Sequence, residues 1–168
     1  MEYEFTNFLR VLDKYAADFQ KAYKDNLEKG DWKASGKLIN SVKCYVTHNG
    51  NAYTVQMSLL DYWKYTEYGR GKTYNNGNGA VRRGILEWLK AKGIEPNDRS
   101  SLPREKKLER MSFAISKSIH ENGWKKQAND KPFKTTLDAI NAAYMPQIEA
   151  ALKQDCEKII GIIWNGVK

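Results

Sequence analysis

The sequence predicts an α+β fold: a small antiparallel sheet built on a β-hairpin at residues 43–59, packed by long N- and C-terminal helices, with a helical insertion at 80–122. Three observations carry this. Lys43 to His48 and Ala52 to Leu59 flank His48-Asn49-Gly50-Asn51, and Asn-Gly between two strand-like runs is the strongest short-range hairpin signal. Phe5, Phe8, Leu9, Leu12, Tyr15, Ala16, Phe19, Tyr23 and Leu27 recur at three and four residues, the pattern of a helix with one apolar face. Leu137, Ile140, Tyr144, Ile148, Leu152, Cys156, Ile159 and Ile163 repeat that spacing at the other end of the chain.

Taken in order, the first amphipathic stretch ends at Gly30, a residue suited to terminating a helix. Its aromatic stripe suits a core face, or a core face shared with subunit contacts. Asp31 to Gly36 reads as a connector and Lys37 to Val42 as a short helical turn. Within the hairpin Tyr53, Val55, Met57 and Leu59 alternate with Thr54, Gln56 and Ser58, the period of a half-buried strand. The period then changes. Tyr62, Tyr65 and Tyr68 are three residues apart, with Trp63 off their line, which predicts about two turns of helix. Asp61 stands where its N-cap is expected, and Gly69 where a left-handed stop is expected. The glycine- and asparagine-rich run Gly69–Gly79 predicts a mobile loop.

Val81, Ile85, Trp88 and Leu89 define one face of a helix at 80–92, closed by Gly93. After a polar connector with two prolines, Leu108, Met111, Ile115 and Ile119 define a second helix at 104–122, closed by Gly123. Residues 124–131 read as a polar loop. Pro146, inside the last amphipathic stretch, removes a backbone donor and is expected to kink or divide that helix near Tyr144.

The chain has 168 residues, 41% hydrophobic and 29% charged, so one domain with a real core is the expectation and a wholly disordered chain is excluded. There is no run of about 18 apolar residues to span a bilayer. The N-terminus lacks the basic and apolar regions of a signal peptide, which points to synthesis in a cytoplasm. Cys44 and Cys156 are expected as buried thiols rather than a disulfide framework. The net charge of +8 is concentrated in the middle of the chain, where residues 81–134 hold fourteen Lys and Arg against seven Asp and Glu. Arg82, Arg83, Arg104, Lys106, Lys107 and Arg110 are its densest part. Such a patch is either a solvated face or an attraction for nucleic acid or an acidic protein surface.

Several chemistries fail on spacing. Gly71-Lys72-Thr73 resembles the end of a phosphate-binding loop, but Thr66 stands where that loop requires its first glycine. The two histidines, His48 and His120, have no cysteine or carboxylate cluster at ligand spacing. No serine has an activating partner in local sequence. Asp61 and Glu67 lie six residues apart on one predicted helix, a poor placement for a catalytic pair. A helix-turn-helix from the 80–92 and 104–122 helices would need a turn of about three or four residues, and the connector from Gly93 to Pro103 is far longer. No enzyme activity, cofactor or metal is expected.

Gly36, Leu38, Ser41 and Val42 lead into the hairpin; Tyr62, Glu67 and Gly69 follow it; Pro132 and Phe133 open the last helix. In this order the segments resemble the tail-component family of tailed bacteriophages, also described as tail-completion or neck proteins. Lys37 between the glycine and the leucine, and roughly fifty residues between the loop and the proline-phenylalanine pair, depart from the family pattern. The resemblance implies a non-enzymatic structural protein of the virion, assembled in the host bacterial cytoplasm and acting as a homo-oligomeric ring at the head-tail junction or tail end. Its implied partners are itself, other neck, portal-adaptor or tail proteins, and DNA passing through the channel, with no membrane. Tyr62, Trp63, Tyr65, Glu67, Tyr68, Arg70, Lys72 and Tyr74 are the candidate interface residues. The alternative is a basic nucleic-acid-binding protein that contacts phosphates through residues 81–134.

Overall fold

A computed structural model describes residues 5–30, 36–49, 52–73, 79–124 and 131–166. The fold is α+β. Among the described residues six helices, α1 (Thr6–Lys29), α2 (Lys37–Ser41), α3 (Trp63–Tyr68), α4 (Ala80–Ala91), α5 (Arg104–Asn122) and α6 (Pro132–Gly166), accompany one two-stranded sheet of β1 (Lys43–Asn49) and β2 (Ala52–Ser58). None of these helices is long and apolar enough to cross a membrane. The chain packs as two compact units, Met1–Leu27 with Ser41–Leu60 and Pro132–Lys168, and Glu28–Asn40 with Asp61–Lys131. The sequence reading takes a single domain with an insertion at 80–122; the packing instead groups those residues with 28–40 and with everything from Asp61 to Lys131.

In the first unit α1 and α6 are joined by polar and aromatic pairs that fix their direction. Asn7 bonds Asp155, Tyr15 bonds Asn141, Tyr144 bonds Asp18 and Asn26 bonds Thr136. From Asn7–Asp155 at one end through the two central pairs to Asn26–Thr136 at the other, the helices run antiparallel. Between them Tyr15 meets Tyr144 edge to face at 5.6 Å, and Phe133 meets Phe19 and Tyr23, each at 5.7 Å. Each such pair is worth about 0.5–1.5 kcal/mol beyond the area it buries. The stripe Leu12, Tyr15, Ala16, Phe19, Tyr23 and Leu27 is buried, so the α1 face is core.

The α6 pattern is a different matter. Its buried positions are Pro132, Thr136, Tyr144, Ala151 and Asp155, while Leu152 and Ile163 on the expected apolar line are exposed. The rest of that line holds, with Tyr144 buried and Leu137, Ile140, Ile148, Cys156 and Ile159 half-buried, and the polar residues that bond α1 sit beside it. The expected division at Pro146 is also absent, since α6 is one helix from Pro132 to Gly166. Tyr144 and Ala151 are buried on either side of the proline, and Gln147 Nε2 donates to the Ala143 carbonyl at 2.8 Å beside it.

The hairpin has the expected alternation, with Tyr53, Val55 and Met57 half-buried between exposed neighbours. Pairing runs from Lys43↔Ser58 to Asn49↔Ala52, so Asn49 belongs to the strand and only Gly50 and Asn51, outside the described residues, separate the strands. Gln20 Oε1 accepts the Cys44 N–H at 2.8 Å, and Phe8 meets Tyr53 edge to face at 5.6 Å. These contacts dock the sheet on α1. Cys44 and Cys156 are free and half-buried, and burial raises the Cys44 thiol against the opposing pull of the Tyr45 peptide N–H.

The second unit is organised by α4 against α5, the two helices that its sequence predicts. Leu89 and Leu108 are fully buried. Trp88, expected on the apolar face of α4, is 41% exposed; the buried side is centred on Leu89, flanked by Ile85 and Leu86. On α5 the deepest positions after Leu108 are Ser112 and Ser116, with Met111, Ile115 and Ile119 only half-buried. Each serine donates to the carbonyl three residues back, Glu109 and Phe113 respectively. Their hydroxyls are thereby satisfied without an external partner, and their small volume suits close helix approach.

Candidate interface on α3 and the α4–α5 surface

The short helix α3 keeps its tyrosines at the surface and buries the residues between them. Its buried residues are Thr66 and Glu67, and its tyrosines face outward: Tyr62 is 40%, Tyr65 46% and Tyr68 68% exposed. Asp61 is not its N-cap. That position is Tyr62, in the right-handed region and without a side-chain cap bond. Gly69 does end the helix at positive φ (73°), but with ψ at −163° rather than in the left-handed helical region, a backbone that only glycine adopts readily.

The candidate interface residues therefore separate. Arg70 lies over the Tyr65 ring at 5.6 Å, and Trp63 and Tyr68 hold their rings 6.5 Å apart. Lys72 is exposed. Partial burial raises the Tyr62 phenol, while the Lys37 charge and the Leu38 N–H work the other way. Glu67, at 1% exposure, is withdrawn from the surface, unlike the tyrosines around it; a buried carboxylate costs a great deal unless it is paired and hydrogen-bonded. Tyr74 lies outside the described residues.

The expectation of a loop unanchored from Gly69 onward fails for residues 70–73. Arg70 and Trp124 exchange two backbone hydrogen bonds, the Thr73 N–H donates to the His120 carbonyl at 3.0 Å, and Thr73 Oγ1 is bonded to His120 Nδ1. Composition made the stretch look free, but the C-terminal end of α5 supplies backbone partners for it.

The basic residues also divide. Arg104 is bonded to Glu95 at 2.8 Å, and Lys107 Nζ donates to the Asp98 carbonyl at 2.8 Å. Arg83 is exposed on α4. Arg82, Lys106 and Arg110 are brought together, with Leu102, Glu109 and Phe113, around an open cavity of about 360 Å³. The Arg82 guanidinium lies 5.7 Å from the centre of the Phe113 ring, which is 55% exposed. Sequence reasoning missed Phe113. The signal was there, because Phe113 is a large apolar residue on α5 off the line of Leu108, Met111, Ile115 and Ile119. No group of three or more His, Cys, Asp and Glu positioned to hold a metal occurs among the described residues. In the comparisons with known proteins, no family model, no curated protein and no solved structure matches this chain.

Proposed function

We propose that this chain is a non-enzymatic structural subunit of a tailed-bacteriophage virion, forming part of a ring at the neck or tail end. The observation that carries the reading is the outward-facing row Tyr62, Tyr65 and Tyr68, set on a helix whose inner face is Thr66 and Glu67. Apolar aromatic surface is unfavourable in water, and aromatic residues are enriched at the centres of protein interfaces. A second set of exposed apolar residues, Ile160, Ile163 and Trp164 near the end of α6, supports the same reading, because at helical spacing these three share one side and exposed apolar patches mark interaction sites. The order of hairpin, tyrosine-rich helix and glycine stop, with α6 entered through Pro132 and Phe133, supports the phage assignment.

Phosphate contact by residues 81–134 has less support. Arg104, Lys106 and Arg110 each have a carboxylate partner, and Lys107 is tied to a carbonyl. The test is assembly. Purified protein, alone and with the products of neighbouring genes, is weighed by light scattering and imaged by electron microscopy. A small species alone and rings with its neighbours are expected, and Tyr65→Ala with Tyr68→Ala should block the rings without lowering the melting temperature. Turnover of a nucleotide, peptide, glycan or DNA substrate, lost on a single substitution, overturns the proposal.

A further inference from the structure

We infer that the cavity bordered by Arg82 of α4 and by Lys106, Arg110 and Phe113 of α5 binds an acidic peptide segment that carries a large apolar side chain. The inference goes beyond the ring proposal and does not rest on it. Leu102 and Phe113 give the cavity its apolar lining, and three cations line it against the single carboxylate of Glu109. Lys106 is paired with Glu109 at 3.0 Å, and Arg110 with Asp98 at 3.8 Å. Arg82 has no carboxylate within ion-pair distance among the described residues and rests on Phe113 instead. An exposed guanidinium over an exposed ring offers a fork for a carboxylate and an apolar surface in the same place.

The same geometry disfavours a nucleic-acid strand. Two of the three cations already hold a carboxylate, Lys106 on Glu109 and Arg110 on Asp98, so the cavity offers one strong anion contact at Arg82 rather than a run of them. The next basic residues on α5 do not continue the track, since Arg104 and Lys107 are engaged by Glu95 and the Asp98 carbonyl. Single-stranded binding needs a positive groove running along several nucleotides, roughly 4–16 for one binding module. A base stacking on the Phe113 face that Arg82 overlies would have to displace the guanidinium. A peptide asks for less: one or two carboxylates at Arg82 and Lys106, and a leucine-sized side chain against Leu102 and the edge of Phe113.

Fluorescence anisotropy of the full chain with a labelled short peptide of Glu and Leu tests this. Three other probes are titrated beside it: the same peptide with Ser for Leu, the same peptide with Lys for Glu, and a short oligothymidylate. The Glu/Leu peptide should bind saturably, with either substituted peptide at least about tenfold weaker, a difference well within reach of one lost anchor or ion pair. Arg82→Ala and Phe113→Ala, both at exposed positions, should each weaken binding about tenfold while the melting temperature holds. Glu109→Gln should tighten it, because the variant releases Lys106 to the ligand. Lys117→Ala, exposed on α5 outside the cavity, should change nothing. Absence of saturable binding overturns the inference, as does binding indifferent to Arg82→Ala. Preference for oligothymidylate, falling steeply between about 50 and 200 mM salt, reassigns the cavity to nucleic acid.

Discussion

The Arg70 N–H donates to the Trp124 carbonyl at 2.7 Å, and the Trp124 N–H returns to the Arg70 carbonyl at 2.6 Å. This reciprocal pair ties the exit of α3 to the residue just past α5, and it depends on Gly123. Gly123 ends α5 at φ +72°, and a Cβ built there would stand 2.6 Å from the Arg70 carbonyl oxygen, backbone that has little room to give.

Gly123→Ala should therefore cost about 1–3 kcal/mol, from positive-φ strain together with the clash. Gly71→Ala is the matched control. It directly follows Arg70, its φ lies outside the left-handed region, and a Cβ there meets nothing within 4 Å, so its effect should stay within about 0.5 kcal/mol. Urea denaturation measures both, and hydrogen exchange of the Arg70 and Trp124 amides should lose protection in the first variant alone. Equal stability of the two variants would mean that the bridge is not held in solution.

A second prediction concerns the start of α1. Asp155 Oδ2 accepts the Phe8 N–H and Oδ1 accepts the Asn7 Nδ2–H, both at 2.8 Å. Phe8 is in the first turn of α1, where backbone donors have no partner within the helix, so a carboxylate from α6 supplies a cap that the local sequence does not. Burial pushes the Asp155 carboxyl up, but the Phe8 and Asn7 donors outweigh it and hold the group below its ordinary value. A carboxyl lowered in the folded state stabilises above the unfolded pKa, about 3.9, and that contribution is lost as pH falls through the folded value. Asp155→Ala should cost about 1–3 kcal/mol at neutral pH by leaving the Phe8 donor without its carboxylate. The gap between wild type and variant should close below about pH 4. A gap that stays constant down to the acid transition would contradict the cap.

The legible parts of this fold are those where one local rule decides. The hairpin follows from Asn49-Gly50 and period-2 alternation, and the helices at 6–29, 80–91 and 104–122 follow from their spacing and closing glycines. What the sequence did not reveal depends on tertiary partners. The three-residue spacing of Tyr62, Tyr65 and Tyr68 predicted a helix there but not which of its sides is buried; a six-residue helix has few positions to bury, and Thr66 and Glu67 took them. The closing of residues 70–73 onto α5 left no mark, because it uses backbone groups every residue has. In the candidate cavity the charges were visible in the clusters of Lys and Arg. Which of them face one another was not, since that depends on how α4 and α5 pack.

The last prediction concerns Tyr144 and Asp18, the contact that holds the middle of α6 to α1. The Tyr144 hydroxyl donates to the Asp18 carboxylate. Because that bond would be lost on ionisation, and because burial and the Asp18 charge also oppose a phenolate, the phenol is pushed up to about 12. The sign follows from linkage. A group raised in the folded state contributes in full below its unfolded pKa, about 10, and the contribution disappears as pH rises through about 12. Tyr144→Phe keeps the ring against Tyr15, at 5.6 Å edge to face, so it removes the hydrogen bond with little loss of packing. It should cost about 1–2 kcal/mol at pH 7, and much less near the alkaline limit. Tyr15→Phe separates this from ordinary burial. The Tyr15 hydroxyl donates to the neutral Asn141 Oδ1 at 2.8 Å, so its loss involves no carboxylate on the partner helix. In a tyrosinate absorbance titration, wild type minus Tyr144→Phe should leave one phenol ionising near 12. If that difference falls instead near 10, the usual tyrosine range, the Asp18 bond is not maintained and α6 is held to α1 by its aromatic contacts and remaining polar pairs.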